Sequence, residues 1–335
     1  MNEDSVATAF DRTLAATTAR CGAPLCVGID PVADRLPETL ADQPLPTAFE
    51  SFSRQVIDAV CAHAAAVKFQ SACYERLGGA GMDALARSMA HARDAGLAVI
   101  LDAKRGDIGI SARHYAAAAC ALGAQAITAN AYMGLETLEP YLEAGLAVFV
   151  LVRTSNPGSA DLQDLPLRTG GTLAMHLGRL LDELGRTRPG VHAVVGATQR
   201  EQASVLRAVM PGQLFLLPGL GAQGATVDDL LAFARPPAGA DTPDPTLGLL
   251  PTASRSVIYA WQDAPAMPDE PNDAAAAQGR QRPGGWVQAV TDAAAALNAQ
   301  LGDALRDAAA NGVSHRSRPE RLGPRGTCAR PGVIS

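Results

Sequence analysis

The stretch AVILDAKRGD, residues 98–107, is an unbroken apolar run that ends in a cluster of charges. The apolar part shows no polar alternation, which is typical of a parallel strand that is covered on both faces. Before it, residues 82–96 carry apolar side chains at helical spacing and end at Gly96, a frequent helix terminator. These residues therefore predict a helix followed by a buried strand, AVILDAK (98–104), with charged side chains at the end of the strand.

Seven further apolar runs of the same kind lie along the chain, separated by segments with a helical pattern. The runs are LCVGID (25–30), AAVKFQ (65–70), AITAN (126–130), AVFVLVR (147–153), HAVVGA (192–197), LFLLPG (214–219) and SVIYA (256–260). Residues 49–64 repeat apolar positions about every 3.6 residues, and residues 286–310 predict a last helix. Eight strands that alternate with helices predict an α/β fold, a single (β/α)8 TIM barrel. A doubly wound open sheet is the alternative, although no G-x-G-x-x-G motif opens the first unit.

The barrel is expected to form one domain over residues 1–312, followed by a disordered basic tail at residues 313–335. The tail sets arginines among Pro, Gly and Ser residues, a composition that does not support a packed core. Residues 236–252 and 262–285 are too rich in Pro and Gly for helices. They predict long loops, which serve either as rims of the barrel mouth or as tolerated surface insertions.

Composition narrows the class of protein. A net charge of −6 and a pI near 5.5 argue against a general nucleic-acid binder, which would carry a concentrated basic face. The six cysteines form no C-x-x-C pair, so neither a zinc site nor a disulfide framework is indicated. The N-terminus has no apolar signal core, and no apolar run reaches the roughly 20 residues that span a membrane. We therefore expect a cytoplasmic protein with no metal and with no membrane or nucleic-acid partner.

Lysine is almost absent from the chain: Lys68 and Lys104 are the only lysines among 28 basic residues. A GC-rich genome explains the excess of arginine, but it does not explain why both lysines end apolar runs. Arginine is a planar fork that stays protonated, whereas lysine is a compact ammonium that can give up a proton. The sequence therefore predicts that an amine has a chemical role at these positions.

The two lysines are expected to meet two aspartates. Asp102 and Lys104 are two residues apart in a strand, so their side chains project from the same face. At the C-terminal end of a barrel strand that face opens into the active-site mouth. Asp107 lies on the turn that leaves the strand, and Lys68 ends the preceding strand, so the four charges can alternate in space. A structural salt-bridge network is the alternative, although burying unpaired charges costs on the order of several kcal/mol each.

LDAKRGDIG (residues 101–109) resembles the signature of the orotidine 5′-phosphate decarboxylase family, in which a D-x-K-x-x-D run after the third strand carries catalysis. Six other motifs resemble that family, the last four its longer bacterial branch. They are CVGIDP (26–31), VKFQSACYE (67–75), ITANAYMG (127–134), VRTSNPGS (152–159), LPGLGAQGA (217–225) and ASRSVIYA (253–260). The resemblance covers residues 26–260. It implies a TIM-barrel enzyme that converts orotidine 5′-phosphate to UMP and CO₂, without a cofactor, at the end of pyrimidine nucleotide synthesis.

The resemblance also implies a role for each charged residue. Lys104 faces the carbanion that forms at C6 of the pyrimidine and protonates it, and Asp102 lies beside the departing carboxylate. Lys68 holds the cluster in register and touches the ribose. Asp107 reaches into the neighbouring subunit's site, so a homodimer is expected.

Eight further residues are expected to bind the substrate. They are Asp30 at a ribose hydroxyl, Ser155 at the pyrimidine edge, Arg255 and Ser254 at the phosphate, Gly219 and Gln223 in the Gly-rich turn, and Thr128 and Asn130 at the end of the fourth strand. For the Gly-rich turn the alternative is a plain turn, and for the fourth strand it is simple packing. The shorter branch of the family carries Gly-Arg where this chain has Ser-Arg, which leaves the phosphate contacts open.

These residue types suit the reaction. Loss of CO₂ from C6 leaves a carbanion that no adjacent carbonyl delocalises, and a fixed ammonium can stabilise it as the charge forms. Lysine can then deliver the proton, which arginine can hardly do. Two alternatives are a sugar-phosphate decarboxylase or aldolase, working with magnesium or through a Schiff base, and a catalytically inactive nucleotide-binding barrel.

Overall fold

The computed structural model describes residues 7–221, 224–235, 246–263 and 285–311. Parallel strands close into one barrel, each strand beside the next in chain order and the last beside the first. The strands are β1 (Cys26–Ile29), β2 (Ala66–Gln70), β3 (Ala98–Arg105), β4 (Ala126–Ala129), β5 (Ala147–Arg153), β6 (Val191–Val195), β7 (Phe215–Pro218) and β8 (Leu249–Ala253). The predicted (β/α)8 TIM barrel is confirmed.

Helices connect the strands and pack on the outside of the barrel. They are α1 (Ala9–Cys21), α2 (Leu45–Val60), α3 (Ser71–Glu75), α4 (Gly78–Asp94), α5 (Gly109–Ala121), α6 (Glu139–Glu143), α7 (Ala160–Gln163), α8 (Leu173–Gly185), α9 (Arg200–Val209), α10 (Val227–Leu231), α11 (Arg255–Ile258), α12 (Ala260–Asp263) and α13 (Gly285–Asn311). Short 3-10 turns occur at Ala33–Arg35, Glu38–Leu40, Leu135–Leu138 and Pro157–Ser159. Among the described residues no helix combines the length and the apolar character that crossing a membrane requires.

The eighth strand was predicted in the wrong place. SVIYA (256–260) lies mainly in α11 and the turn after it, whereas β8 is formed by Leu249–Ala253, which begins inside the predicted loop 236–252 and ends one residue beyond it. The apolar run is buried in a helix rather than a strand, a distinction that a short run does not encode. Pro251 disguised the true strand, because proline is an unusual residue within a sheet. The ends of the other predicted loop, 262–285, belong to α12 and α13. Residues 236–245 and 264–284 of the predicted loops, and the predicted tail at 313–335, lie outside the described residues.

Alternating residues decide what faces the inside of the barrel. On β2 the buried inner face carries Ala66 and then Lys68. On β3 it carries Ile100 and then Asp102. The register pairs Lys68 with Ile100, so the charged side chains follow the apolar layer toward the C-terminal end of the barrel. The interior is thus apolar toward the N-terminal ends of these strands and charged toward their C-terminal ends.

Helix α1 packs against the N-terminal end of the barrel. The Phe10 ring meets the Phe149 ring edge-on, with centroids 5.5 Å apart. Asp11 serves two partners: its Oδ2 accepts from the backbone N of Thr8 at 3.0 Å, and its Oδ1 lies 2.8 Å from Nε2 of His192. Partial burial works against ionisation of Asp11, but the attraction and hydrogen bonds of His192 and Thr8 outweigh it and lower the pKa of Asp11 to about 2. The contact ties α1 to β6.

Acid should therefore lower the stability of the protein by protonating Asp11, which weakens the contact between α1 and β6. The lowered pKa stabilises the fold above the ordinary value of 3.8, and this stability is lost as the pH falls toward 2. Across that pH window we expect the free energy of unfolding of the wild type to fall by about 2 kcal/mol more than that of an Asp11→Asn variant. Urea unfolding at several pH values measures the difference. Asp303→Asn, which removes an exposed ion pair with Arg306, is the control, and equal acid sensitivity of Asp11→Asn and wild type would contradict the expectation.

Candidate active site

The C-terminal ends of the strands open into a cavity of about 650 Å³. Its floor is apolar, with Leu151, Val194 and Leu216. Nine of the predicted site residues line it: Asp30, Lys68, Asp102, Lys104, Thr128, Ser155, Gly219, Ser254 and Arg255. The strand-end positions inferred from the sequence therefore converge on one space large enough for a nucleotide-sized ligand.

Asp102 lies at the centre of the charged cluster. Its Oδ2 accepts a hydrogen bond from Nζ of Lys68 at 2.7 Å, and its Oδ1 accepts one from Nζ of Lys104 at 2.6 Å. Nζ of Lys68 is also 3.9 Å from Oδ1 of Asp30. The Lys68 side chain is only 6% exposed, whereas that of Lys104 is 47% exposed. Both lysines line the cavity, and Lys104 is the more exposed of the two.

Thr128 on β4 supports this arrangement from the side. Its hydroxyl donates to Oδ1 of Asp102 at 2.8 Å and accepts from the backbone N of Lys104 at 2.9 Å. Lys104 has a φ of +48°, in the left-handed region, where the backbone of a residue other than glycine is strained. The pairing of β3 with β4 shifts register across the same segment. Strain of this kind persists where the surroundings over-determine it, which is typical of functional sites.

The cluster is electrostatically self-consistent. Burial disfavours the charged form of Asp102, but the attraction of Lys68 and Lys104 outweighs it and holds the pKa of Asp102 far below its ordinary value. Burial likewise disfavours the ammonium of Lys68, but Asp102 and Asp30 outweigh it and raise the pKa of Lys68 above its ordinary value. Asp102 is therefore an anion and Lys68 a cation throughout the neutral range.

The two carboxylate oxygens of Asp30, just after β1, lie in different surroundings. Its Oδ2 accepts from the hydroxyl of Ser254 at 2.5 Å, and that hydroxyl also lies 3.0 Å from the carbonyl of Gly28. Its Oδ1 is buried without a hydrogen-bond partner among the described residues. A side chain at Gly28 would come within 2.9 Å of Ser254, so this close approach requires glycine. The carboxylate of Asp30 thus lines the cavity while its Oδ1 is buried, 3.9 Å from Nζ of Lys68.

Two predicted site residues lie away from the cavity in the single chain. Oδ1 of Asp107 accepts from the backbone N of Ile108 at 2.8 Å, and Asp107 is not among the described residues that line the cavity. Asn130 also stays out of the lining: its amide packs against Gly106, where an added side chain would approach it to 2.6 Å. Within one chain the charged cluster therefore consists of Lys68, Asp102 and Lys104, with Asp30 as its second carboxylate.

The far end of the cavity is built by the segments after β7 and β8. Gly219 has a φ of +121°, a conformation that favours glycine. Ser254 and Arg255 stand at the start of α11 and line the same end. Gln223 lies outside the described residues. Among the described residues of this end, Arg255 offers a guanidinium to an anion, whereas the hydroxyl of Ser254 already donates to Asp30.

Sequence reasoning missed several uncharged polar residues of the lining. They are Gln70, Thr154, Asn156, Ser159, Gln163 and Thr252. Gln70 is two residues beyond Lys68 on the same strand, so strand periodicity would have found it. Its amide nitrogen lies 3.4 Å from Oδ2 of Asp102. The described residues contain no group of three His, Cys, Asp or Glu side chains placed to hold a metal ion.

Comparisons with known proteins agree with one another. The model of a family described as Orotidine 5′-phosphate decarboxylase / HUMPS family matches residues 23–241. A protein of Rhodopirellula baltica named orotidine 5′-phosphate decarboxylase is 36% identical over 319 residues, which cover 87% of this chain and 98% of that protein. One of the same name from Halorubrum lacusprofundi is 40% identical over 263 residues, covering 78% and 91%. The structure of Leishmania donovani OMP decarboxylase superposes with a TM-score of 0.69 at 29% identity, covering 89% of this chain and 98% of that one.

Proposed function

Because the chain belongs to the orotidine 5′-phosphate decarboxylase / HUMPS family, we propose that it converts orotidine 5′-phosphate to UMP and CO₂, the final step of pyrimidine nucleotide synthesis. The observation that carries the proposal is the Lys104 ammonium, held 2.6 Å from Asp102 and open to the cavity. No cofactor takes part in the proposed reaction.

In the proposed reaction the bond between C6 and the carboxylate breaks, CO₂ leaves, and the electron pair stays on C6. The ammonium of Lys104 stabilises that charge as it forms, and preorganised electrostatics of this kind is usually the largest catalytic contribution. A proton then moves from Nζ of Lys104 to C6, and the neutral amine regains a proton from solvent. The Asp102 anion would repel the substrate carboxylate, and departure of CO₂ relieves that repulsion.

The proposed substrate contacts follow the shape of the cavity. Asp30 and Lys68 would bind the ribose, since both line the cavity and lie beside each other, with Oδ1 of Asp30 at 3.9 Å from Nζ of Lys68. Ser155 would bind the pyrimidine edge. The phosphate would lie among Gly219, Ser254, Arg255 and Gln223. Binding energy from the phosphate, remote from C6, can lower the barrier at the reacting carbon.

The proposal is tested by ultraviolet absorbance, because orotidine 5′-phosphate loses absorption on becoming UMP. We expect the purified protein to consume the substrate after dialysis against a chelator, and no change in absorbance would refute the proposal. A sugar phosphate offered with magnesium tests the competing decarboxylase or aldolase. Borohydride trapping of a lysine adduct with the same sugar phosphate would reveal a Schiff-base enzyme instead.

We further propose that the protein works as a homodimer in which Asp107 enters the partner's site. Asp107 is followed by the exposed apolar side chains Ile108 and Ile110, and Tyr132 and Met133 after β4 are exposed as well. Exposed apolar side chains close together are typical of surfaces that bind another protein. A symmetric contact through this surface would place two Asp107 side chains near two cavities.

Mixed dimers test the shared site. Lys104→Ala and Asp107→Ala should each be inactive alone. In a hybrid dimer one site would receive both altered residues and the other site neither. Random reassociation of equal amounts should therefore restore about a quarter of the wild-type activity. Measurement of turnover before and after unfolding and joint refolding decides the matter. The control is a mixture of the two variants, Lys104→Ala and Asp107→Ala, each refolded separately before mixing. If the jointly refolded sample recovers no activity, the shared site is contradicted.

A cytoplasmic location and the absence of a nucleic-acid partner stay predictions from the composition. The net charge of −6 supports the second of these, because a polyanion is bound by concentrated positive charge.

A further inference from the structure

Arg153, the last residue of β5, is a buried arginine held on every side. Its side chain is only 5% exposed. Nε donates to Oδ1 of Asp164 at 3.0 Å and Nη2 donates to Oδ2 of the same carboxylate at 2.8 Å, which is a bidentate pair. Nη1 donates to the carbonyl of Thr154 at 2.7 Å and also to the hydroxyl of Ser159. The guanidinium therefore connects the end of the strand to the segment that follows it.

That segment, residues 154–163, is called the β5 loop here. It forms one wall of the cavity through Thr154, Ser155, Asn156, Gly158, Ser159, Leu162 and Gln163. Arg153 and Asp164 flank it at its two ends, and neither is among the described residues that line the cavity. Their ion pair thus pins the ends of a loop together without reaching the ligand space itself.

The backbone on both sides of Ser155 depends on this pair. The Ser159 hydroxyl, which accepts from Arg153, lies 3.0 Å from the carbonyl of Thr154 and 2.6 Å from that of Asn156. The backbone N of Thr154 donates to Oε1 of Gln163 at 2.8 Å, across the neck of the loop. These contacts hold the residues before and after Ser155, so they set the position of its hydroxyl.

Two neighbouring groups reinforce the arrangement from outside the loop. Gln202 on α9 donates to Oδ1 of Asp164 at 3.1 Å, which holds the carboxylate in place. On the other side of the loop, an added side chain at Gly196 would come within 2.9 Å of the backbone N of Ser155. The loop therefore rests directly on the segment after β6 while Arg153 fastens its ends.

We propose that Arg153 is a positioning residue that, through its bidentate pair with Asp164, holds the β5 loop so that Ser155 meets the pyrimidine ring. The inference rests on the proposed function for the identity of the ligand. A lysine would keep the charge but lose the fork that bonds Asp164, Thr154 and Ser159 together. Lys104 lies on β3, outside the loop, so the proton-transfer step is less affected than substrate binding.

Arg153→Lys tests the proposal in the full-length protein. We expect KM for orotidine 5′-phosphate to rise roughly tenfold or more, with a smaller fall in kcat, because several charge-assisted hydrogen bonds are lost. In a Ser155→Ala background the same change should have much less effect, since residues that act as a unit are not additive. Arg186→Lys is the matched control, because Arg186 is an exposed arginine that pairs with Asp182 on the same helix turn, and its kinetic constants should equal those of the wild type.

Amide hydrogen exchange gives a readout that does not depend on turnover. Residues 154–164 should exchange faster in Arg153→Lys than in wild type, while the strands exchange at unchanged rates. Unchanged exchange in the loop, an unchanged KM, or full additivity with Ser155→Ala would each overturn the inference. Failure of the wild type to consume orotidine 5′-phosphate would refute the proposed function instead, and exchange would still test the clamp. If Arg153→Lys does not fold, Asp164→Asn carries the same tests.

Discussion

Replacing Lys104 with arginine should lower the turnover of orotidine 5′-phosphate by roughly 1,000-fold or more while the protein stays folded. Positioned general acids contribute about 100- to 10,000-fold to rates, and arginine stays protonated, so it can face the carbanion without delivering a proton. The Lys104 side chain is half exposed, so the longer guanidinium has room to remain paired with Asp102. Steady-state kcat from the absorbance assay and a thermal unfolding curve measure the two outcomes.

Arg105 provides the matched control for this substitution. It is the next residue along β3, its guanidinium pairs with Glu75, and it lies near the Tyr115 ring with 5.2 Å to the centroid. Arg105→Lys replaces an arginine by a lysine, the reverse of Lys104→Arg, at a position outside the cavity. It should leave kcat within about twofold of the wild-type value, because surface pairs contribute little. Turnover of Lys104→Arg within tenfold of the wild type would refute the role of Lys104 as proton donor.

Much of the barrel could be predicted from the sequence, because a parallel strand that is buried on both faces consists of a continuous run of apolar residues. The first seven strands lie within two residues of the predicted runs. The eighth failed for a physical reason: Val257 and Ile258 are fully buried, but they are buried on a helix. Burial determines which residues are apolar, whereas the strand or helix is decided by the partners that surround them, and those are distant in the sequence.

The charged cluster could be predicted because its members are charges in an apolar setting. Asp102 and Lys104 meet as the two-residue spacing implied, although the positive φ of Lys104 is not that of a regular strand. Gln163 and Arg153 were missed because neither stands out from its sequence surroundings. Gln163 carries no charge, and Arg153 is one arginine among many. Their importance comes from contacts across the β5 loop, which no local pattern encodes.

Replacing Lys68 with methionine should be the most destabilising single change at the site. Lys68 is a buried cation between Asp102 and Asp30, and removing one partner of a buried pair costs about 3–5 kcal/mol. Urea unfolding of wild type and Lys68→Met at neutral pH measures the loss. Arg105→Met breaks a more exposed pair and should cost ~1 kcal/mol or less. Equal losses in the two variants would contradict the expectation.

The pH dependence of that loss has a definite sign. The pKa of Asp102 is lowered, so its contribution to stability is present above 3.8 and disappears as the pH falls below that value. The pKa of Lys68 is raised, so its contribution is present below 10.5 and disappears as the pH rises above that value. The gap between wild type and Lys68→Met should therefore be constant from about pH 5 to pH 9 and should narrow at both ends.

A double variant separates the stability of the pair from its chemistry. Lys68→Met with Asp102→Asn removes the two most buried charges of the cluster, and the charges that stay, Asp30 and Lys104, have side chains that are 30% and 47% exposed. Replacing a whole buried pair by neutral groups is often close to neutral for stability, whereas breaking it is not. We therefore expect the double variant to be more stable than Lys68→Met alone, and to have no measurable turnover. A double variant that loses the sum of the two single losses would mean that Lys68 and Asp102 act independently in the fold, since contacting charges that stabilise each other are not additive.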